Sequence, residues 1–369
     1  MTLQTEYTPD ELLASHDYAE PLFAGGRRCH GGFMEDGTYV SPRTKGRVPA
    51  IEAWQEQHAQ QFSTELLGVP LDTWPEPYPN VAQTRYLISH GVPEPIIATL
   101  TRIGTVEGFG SVIRNTIVPD LQRAFAEEVD GTAMAHLQKG LYEAHARDEA
   151  GHEDEAGHNE MWFAARDIAF ERPVTEDETQ RMLVRMGVAS PGGGQPDVAA
   201  MRAAAMANCV LPDDIDFDLE SLIERMTRLL LIEISAFHLF AWAETLLSDD
   251  ELVAGEGEAA RLVSFIRSDE TPHVEYLRTV LSEMRDRTFV AESGRKYDGT
   301  EMVRRIWDRA LADSLGARRK DTMRVTLAEV ERAIGSRSDG ADILERFHEL
   351  GSVRPGADGE WIQQPAAVS

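Results

Sequence analysis

Glu149-Ala150-Gly151-His152 and Glu270-Thr271-Pro272-His273 share the spacing Glu-x-x-His. On an α-helix three residues turn the chain by about 300°, which returns both side chains to one face. A carboxylate beside an imidazole suits a divalent transition metal. Two further acids interrupt runs that otherwise read as core: Glu107, between Val106 and Phe109, and Glu233, in Leu229-Leu230-Leu231-Ile232-Glu233-Ile234. A buried carboxylate is costly unless it is paired or binds a metal. For Glu233 the plain alternative is a core acid paired with Arg228 or Arg267, and for Glu107 an interhelix hydrogen bond. Taken together, four carboxylates and two imidazoles would offset the charge of two divalent cations and leave exchangeable positions for dioxygen.

Four long helices must position these groups. Ile96, Ile97, Leu100, Ile103, Val106, Phe109, Ile113 and Ile117 recur at helical spacing and predict a first helix from about Pro95 to Phe125. A second is expected from Thr132 to Phe170, closed by Pro173, and a fourth from Glu256 to Arg287. The third, Asp218 to Leu247, is apolar on all sides in its middle and should be buried. Between the second and third lies a long connection, with a short helical piece around Glu178–Met186, the Gly-rich run Gly192-Gly193-Gly194 and an Ala-rich segment. Further helices are expected at Thr300–Leu315, Leu327–Ile334 and Ala341–Leu350, and the tail after Pro355 lacks periodicity. Residues 1–80 carry many turn signals and one helical candidate, Ala50–Phe62. No strong strand alternation is evident. The expected class is all-α, a four-helix bundle with one long crossover.

The order Glu, Glu-x-x-His, Glu, Glu-x-x-His, carried by Glu107, Glu149/His152, Glu233 and Glu270/His273, resembles the ferritin-like di-iron carboxylate superfamily. That superfamily includes ribonucleotide reductase small subunits, bacterial multicomponent monooxygenases, acyl-ACP desaturases and arylamine N-oxygenases. The resemblance covers roughly Pro93 to Glu283. It implies a ferritin-like di-metal bundle over 91–290, while the turn-rich residues 1–90 read as an N-terminal arm wrapping the core and 291–369 as a C-terminal helical extension with a loose tail, neither matched by the family. It also implies two Fe, or a Mn/Fe pair, with O2 as co-substrate. The activity implied is a non-haem di-iron oxidase or oxygenase that hydroxylates, N-oxygenates or desaturates a small organic substrate. A ferredoxin or reductase would be the electron donor, unless the substrate supplies its own electrons. Phe109, Phe237, Phe240 and Trp242 are candidate pocket walls.

Several positions leave a choice. Glu149-Ala150-Gly151-His152 is followed by a second copy, Glu155-Ala156-Gly157-His158, and on a straight helix the copies point about 120° apart. The phase through Leu141, His145, His152 and Asn159 favours the first copy, with Glu155 and His158 in reserve, although a π-bulge at the glycines would reset it. Pro272 should kink its helix, with Ser268 or Thr271 capping a restart, which makes Asp269 a reserve ligand. Glu244 is a reserve on the third helix. His145 and His238 read as residues packed around the site.

Composition removes other classes. With 36 Lys+Arg against 63 Asp+Glu, the net charge of −27 argues against a phosphate-neutralising nucleic-acid binder. Cys29 and Cys209 form no disulfide framework, and no signal peptide or uninterrupted membrane-length apolar run is evident, so the chain reads as soluble and cytoplasmic. The broad apolar helices are compatible with a homodimer. His-Glu-x-x-His, Gly-x-Ser-x-Gly and phosphate-loop motifs are absent. The competing readings are a non-catalytic or metal-handling ferritin-like protein and a helical protein whose acidic face docks a basic partner.

Overall fold

The computed structural model describes residues 3–68, 73–170, 175–185, 198–351, 353–355 and 361–363. The Gly192–Gly194 run and Pro173 lie outside them. The chain is mostly helical, but a small antiparallel sheet corrects the expectation of a strand-free arm. Its strands are β1 (Glu20–Ala24), β2 (Arg27–Phe33) and β3 (Tyr39–Val40), in the order β1-β2-β3. Ala24 pairs with Arg27 across the Gly25-Gly26 turn, the shortest hairpin connection. The turn residues were legible in the sequence, whereas β2, buried over four consecutive positions, shows no alternation to read.

Helix α1 (Arg47–Phe62) follows, then α2 (Val81–Ser89), capped by Asn80 and Gln83 in a reciprocal box. Next, α3 (Glu94–Gly110) continues into a 3-10 turn to Asn115. The expected second helix is two helices, α4 (Tyr142–Ala150) and α5 (His158–Phe170), joined by a turn. Short helical pieces at Glu176–Arg185 and Val198–Ala207 lie in the connection to α6 (Phe217–Leu247). Asp216 caps α6 by accepting from the N–H groups of Asp218 and Leu219. The expected fourth helix is α7 (Glu258–Asp269) and α8 (Thr271–Arg285) with Glu270 between them in helical conformation, φ −72° and ψ −21°. Pro272 thus stands in the first turn of α8, where a missing N–H costs least. Val274 still donates to the Glu270 carbonyl at 3.0 Å, so the axis passes through and Glu270 keeps its inward face. Ser268 bonds the Ser264 carbonyl and caps nothing.

The C-terminal part adds α9 (Gly299–Asp313), α10 (Arg319–Ile334) and α11 (Gly340–Leu350). Beyond them Val353–Pro355 pairs antiparallel with Trp361–Gln363, a ribbon the aperiodic tail did not announce. The packing partners that matter here are α3 with α4 and α5, α5 with α7, and α6 with α7 and α8. Two apolar clusters fill the space between them. One gathers around Trp54, Tyr142, Tyr276 and Phe289, the other around Trp162, Phe240 and Phe347. Each such side chain contributes about 1.5–3 kcal/mol relative to exposure. By length and hydropathy Glu94–Asn115 and α6 would each suffice to cross a membrane, yet half of each apolar window is buried against the rest of the chain.

Candidate metal centre

Where α3, α4, α5, α6 and the α7–α8 junction meet, the interior holds charge in place of apolar side chains. Glu107, Glu149, His158, Glu233, Glu270 and His273 are all buried there. His158 Nδ1 lies 3.0 Å from Glu270 Oε1, 3.4 Å from Glu149 Oε1 and 3.8 Å from Glu107 Oε2. His273 Nδ1 lies 2.8 Å from Glu270 Oε2 and 3.3 Å from Glu149 Oε1. His145, one turn before Glu149 on α4, points Nε2 at Glu149 and Glu233, 3.8 and 3.7 Å away.

Ligand atoms fall into two four-residue groups, each within 4.8 Å: Glu107, Glu149, His158 and Glu270, and His145, Glu149, Glu233 and His273. Metal bonds of about 2.1 Å set neighbouring donors about 3 Å apart and opposite donors just over 4 Å apart, so each group has the dimensions of a one-cation site. Glu149 belongs to both. The donors also lack the partners that would make them a purely structural network. His145 Nε2, both ring nitrogens of His158 and Glu270 Oε1 are buried without a hydrogen-bond partner of good geometry. Buried groups of this kind are normally satisfied, and a cation is the species four carboxylates would share. These residues could hold a metal ion.

The electrostatics point the same way. Burial, reinforced by Glu149 and Glu270, holds the Glu107 carboxyl well above the usual range. Burial and Glu270 do the same to Glu233. Burial also opposes ionisation of Glu149 and Glu270, but His158 and His273 hold both at about 2. Those imidazoles are in turn pushed well above their ordinary value by the carboxylates, against burial. Protons thus occupy the cluster in the role a cation would take.

Sequence reasoning favoured His152 as the partner of Glu149, and the geometry corrects it. Gly151 adopts φ +80°, which ends α4, and residues 151–157 form a turn closed by the mutual hydrogen bonds of His152 and Glu155. His152 is left 38% exposed at the turn, facing Glu153. Glu155 is turned outward to Arg28. The second histidine, His158, opens α5 and enters the cluster. A straight-helix phase argument fails here because the helix stops. Neither a π-bulge nor a continuous helix is involved. Glu244 is also outside the cluster, bonded to Arg267 at 2.8 Å, and Arg228 binds Glu224 and Asp313, so neither arginine pairs with Glu233. Among the pocket walls, Phe240 lines the adjoining cleft, while Phe109 is exposed and Phe237 and Trp242 do not line it.

No protein-family model, curated protein or solved structure matches this chain.

A surrounding set of residues was missed in the sequence. Asp148 accepts from His273 Nε2 at 2.9 Å and from Arg43 Nε at 2.7 Å, and pairs with Arg47 at 2.8 Å. Asp269, expected as a reserve ligand, lies with His30 and His158 in a third group that could hold a cation, 3.2 and 3.5 Å from their Nε2 atoms, and accepts from Tyr39 Oη. The signal was present. Both Glu-x-x-His units are preceded by Asp, giving Asp-Glu at 148–149 and again at 269–270. In space Asp148 bonds His273, and Asp269 faces His158 at 3.5 Å.

Proposed function

We propose that the chain is a ferritin-like non-haem di-iron oxidase or oxygenase that uses O2 to oxidise a small organic substrate. The observation that carries this reading is the sharing of Glu149 between two buried one-cation groups, with Glu107 and Glu233 each confined to one of them. Glu270 belongs to the group with Glu107 and also approaches His273 of the other, at 2.8 Å. Two bound irons would supply the electrons and the open coordination positions through which O2 is reduced and a substrate oxidised.

The protein's own part is positioning and exclusion. Asp148, fixed by Arg43 and Arg47, orients His273, and Asp269, fixed by Tyr39 and His30, faces His158. Such outer partners set ring orientation and donor strength. Trp162 and Phe240, both fully buried, pack against each other. A cleft of about 330 Å³, with Glu107 in its lining, is the way in for a substrate. Electrons beyond those of the substrate would come from a ferredoxin or reductase.

The test is anaerobic loading of the full chain with Fe(II), a count of bound iron, and exposure to O2. Two irons per chain and a transient visible absorbance are expected. Bound iron that is inert to O2 and to candidate substrates supports a metal-handling protein instead, and no metal bound from iron, manganese or zinc overturns the metal centre itself.

A further inference from the structure

The cleft beside Glu107 has an unusual charge for this molecule. In a chain of net charge −27 its wall carries Arg102, Arg318 and Arg319 and a single acid, Glu107, which belongs to the proposed metal centre. Arg318 is bonded to Asp313 at 2.8 Å, and Arg319 donates to the Glu76 carbonyl at 2.9 Å. Arg102 has neither kind of partner. Among the described residues no carboxylate or carbonyl lies within ion-pair or hydrogen-bond range of it, and burial alone acts on its guanidinium, pulling its pKa down. Its guanidinium is partly buried and has no counter-charge among the described residues, on the wall of a cavity where an incoming anion could meet it.

We infer that this cleft binds a small amphipathic acid, with its carboxylate on Arg102 and its apolar body along Ile103, Val106, Leu231, Ile232, Leu239 and Phe240. The planar fork of Arg matches a carboxylate in two parallel hydrogen bonds, and partial desolvation strengthens both. Arg102 and Glu107 stand five residues apart on α3, a rise of about 7.5 Å along the axis. An acid held at Arg102 therefore lies with its apolar body in the same cleft as Glu107. This names the substrate class of the proposed oxygenase and rests on that reading only for what is done to the acid, since the anion site stands or falls by binding alone.

The experiment is calorimetric titration of the full chain, with and without Fe(II), using two matched pairs: benzoate against benzamide, and hexanoate against hexanamide. The acids should bind at least about tenfold more tightly than their amides. Arg102→Gln should abolish that preference while leaving the circular dichroism spectrum and the bound-iron count unchanged, and Arg102→Lys should restore part of it. Equal affinity for acid and amide, no measurable binding of either acid, or an unaltered preference in a folded Arg102→Gln protein would each overturn the inference. If the acid preference holds but iron is not bound, the metal reading fails and the anion site stands. If iron is bound with no acid preference, the reverse is true.

Discussion

His158 Nδ1 lies 3.4 Å from Glu149 Oε1 although nine residues of sequence, a helix end and a turn separate them. This pair decides which of two identical tetrapeptide motifs faces the interior. His158→Ala should lower bound iron by about one per chain, whereas His152→Ala, at the exposed turn, should leave both. Metal analysis of the two purified variants checks this directly, and equal loss in both would undo the assignment.

The shared carboxylate makes a graded prediction. Glu107→Gln and Glu233→Gln each remove a donor from one group, and Glu149→Gln removes one from both. Iron content should therefore fall by about one in the first two variants and by nearly two in the third. Melting temperatures taken without metal should change little in Glu107→Gln and Glu233→Gln, because burial already favours the neutral carboxyl that glutamine mimics, and fall in Glu149→Gln, which takes an ionised partner from His158 and His273.

Asp269→Asn should weaken metal binding about 10- to 100-fold, the usual effect of altering a carboxylate that faces a ligating imidazole, here 3.5 Å from His158 Nε2. Competition with a chelator would measure it. Asp148→Asn should act mainly on stability, since Arg43 and Arg47 are buried against that carboxylate and would lose their counter-charge. A cost of about 3–5 kcal/mol is expected in urea unfolding. A change under about 1 kcal/mol would mean that the two arginines find other partners.

The turn itself can be broken at Gly157. A Cβ there would meet the Gly151 nitrogen at 2.2 Å and the Asp148 carbonyl oxygen at 2.8 Å, both backbone atoms. Gly157→Ala should cost about 1–3 kcal/mol and displace His158, with loss of bound iron. Retention of both irons at unchanged stability would show that the turn tolerates a different path.

Stability should also depend on pH through Glu283, away from the metal cluster. Burial pushes its carboxyl up from an ordinary value of 4.5 to about 7, although Arg287 and the N–H groups of Ala133 and Met134 pull the other way. Between those two values the folded chain keeps a proton that the unfolded chain has lost. Stability from this group is therefore greatest below about pH 4.5 and falls as pH rises, by up to about 3 kcal/mol by pH 7, with no further loss above. Urea unfolding from about pH 5 to 8 should show a shallower decline in Glu283→Gln than in the parent chain. Identical slopes would assign the decline to other groups.

What could be read from the sequence depended on whether the helices ran on. Along α6 the periodicity, the Asp216 cap and the inward phase of Glu233 all agree, and the expected and observed boundaries differ by a single residue at the start. Pro272 misled less than feared, because a proline in the first turn of a helix that abuts another leaves the axis intact. Gly151 misled more. A glycine can be tolerated within a helix or can end it, and here only contacts made elsewhere in the chain decide between the two. His30, Arg43 and Arg47 were out of reach for a related reason, since nothing local in a turn-rich segment marks it as a supplier of side chains to a distant interior. The Asp-Glu repeat at 148–149 and 269–270 was legible and went unread, because only the reciprocal contacts give the two aspartates their role.

The turn that delivers His158 is stitched to β2: Ala156 donates to the Arg28 carbonyl at 2.9 Å, and His30 donates to the Ala156 carbonyl at 3.1 Å. Residues 28–30 leave the ribosome long before residue 156, and the α7–α8 junction follows later still. Closing so long a loop is entropically slow, and it must precede the final placement of the histidine. The geometry of the cluster is thus held by backbone contacts between segments far apart in sequence, and a change in β2 that breaks them would reach His158 without touching any residue of the cluster.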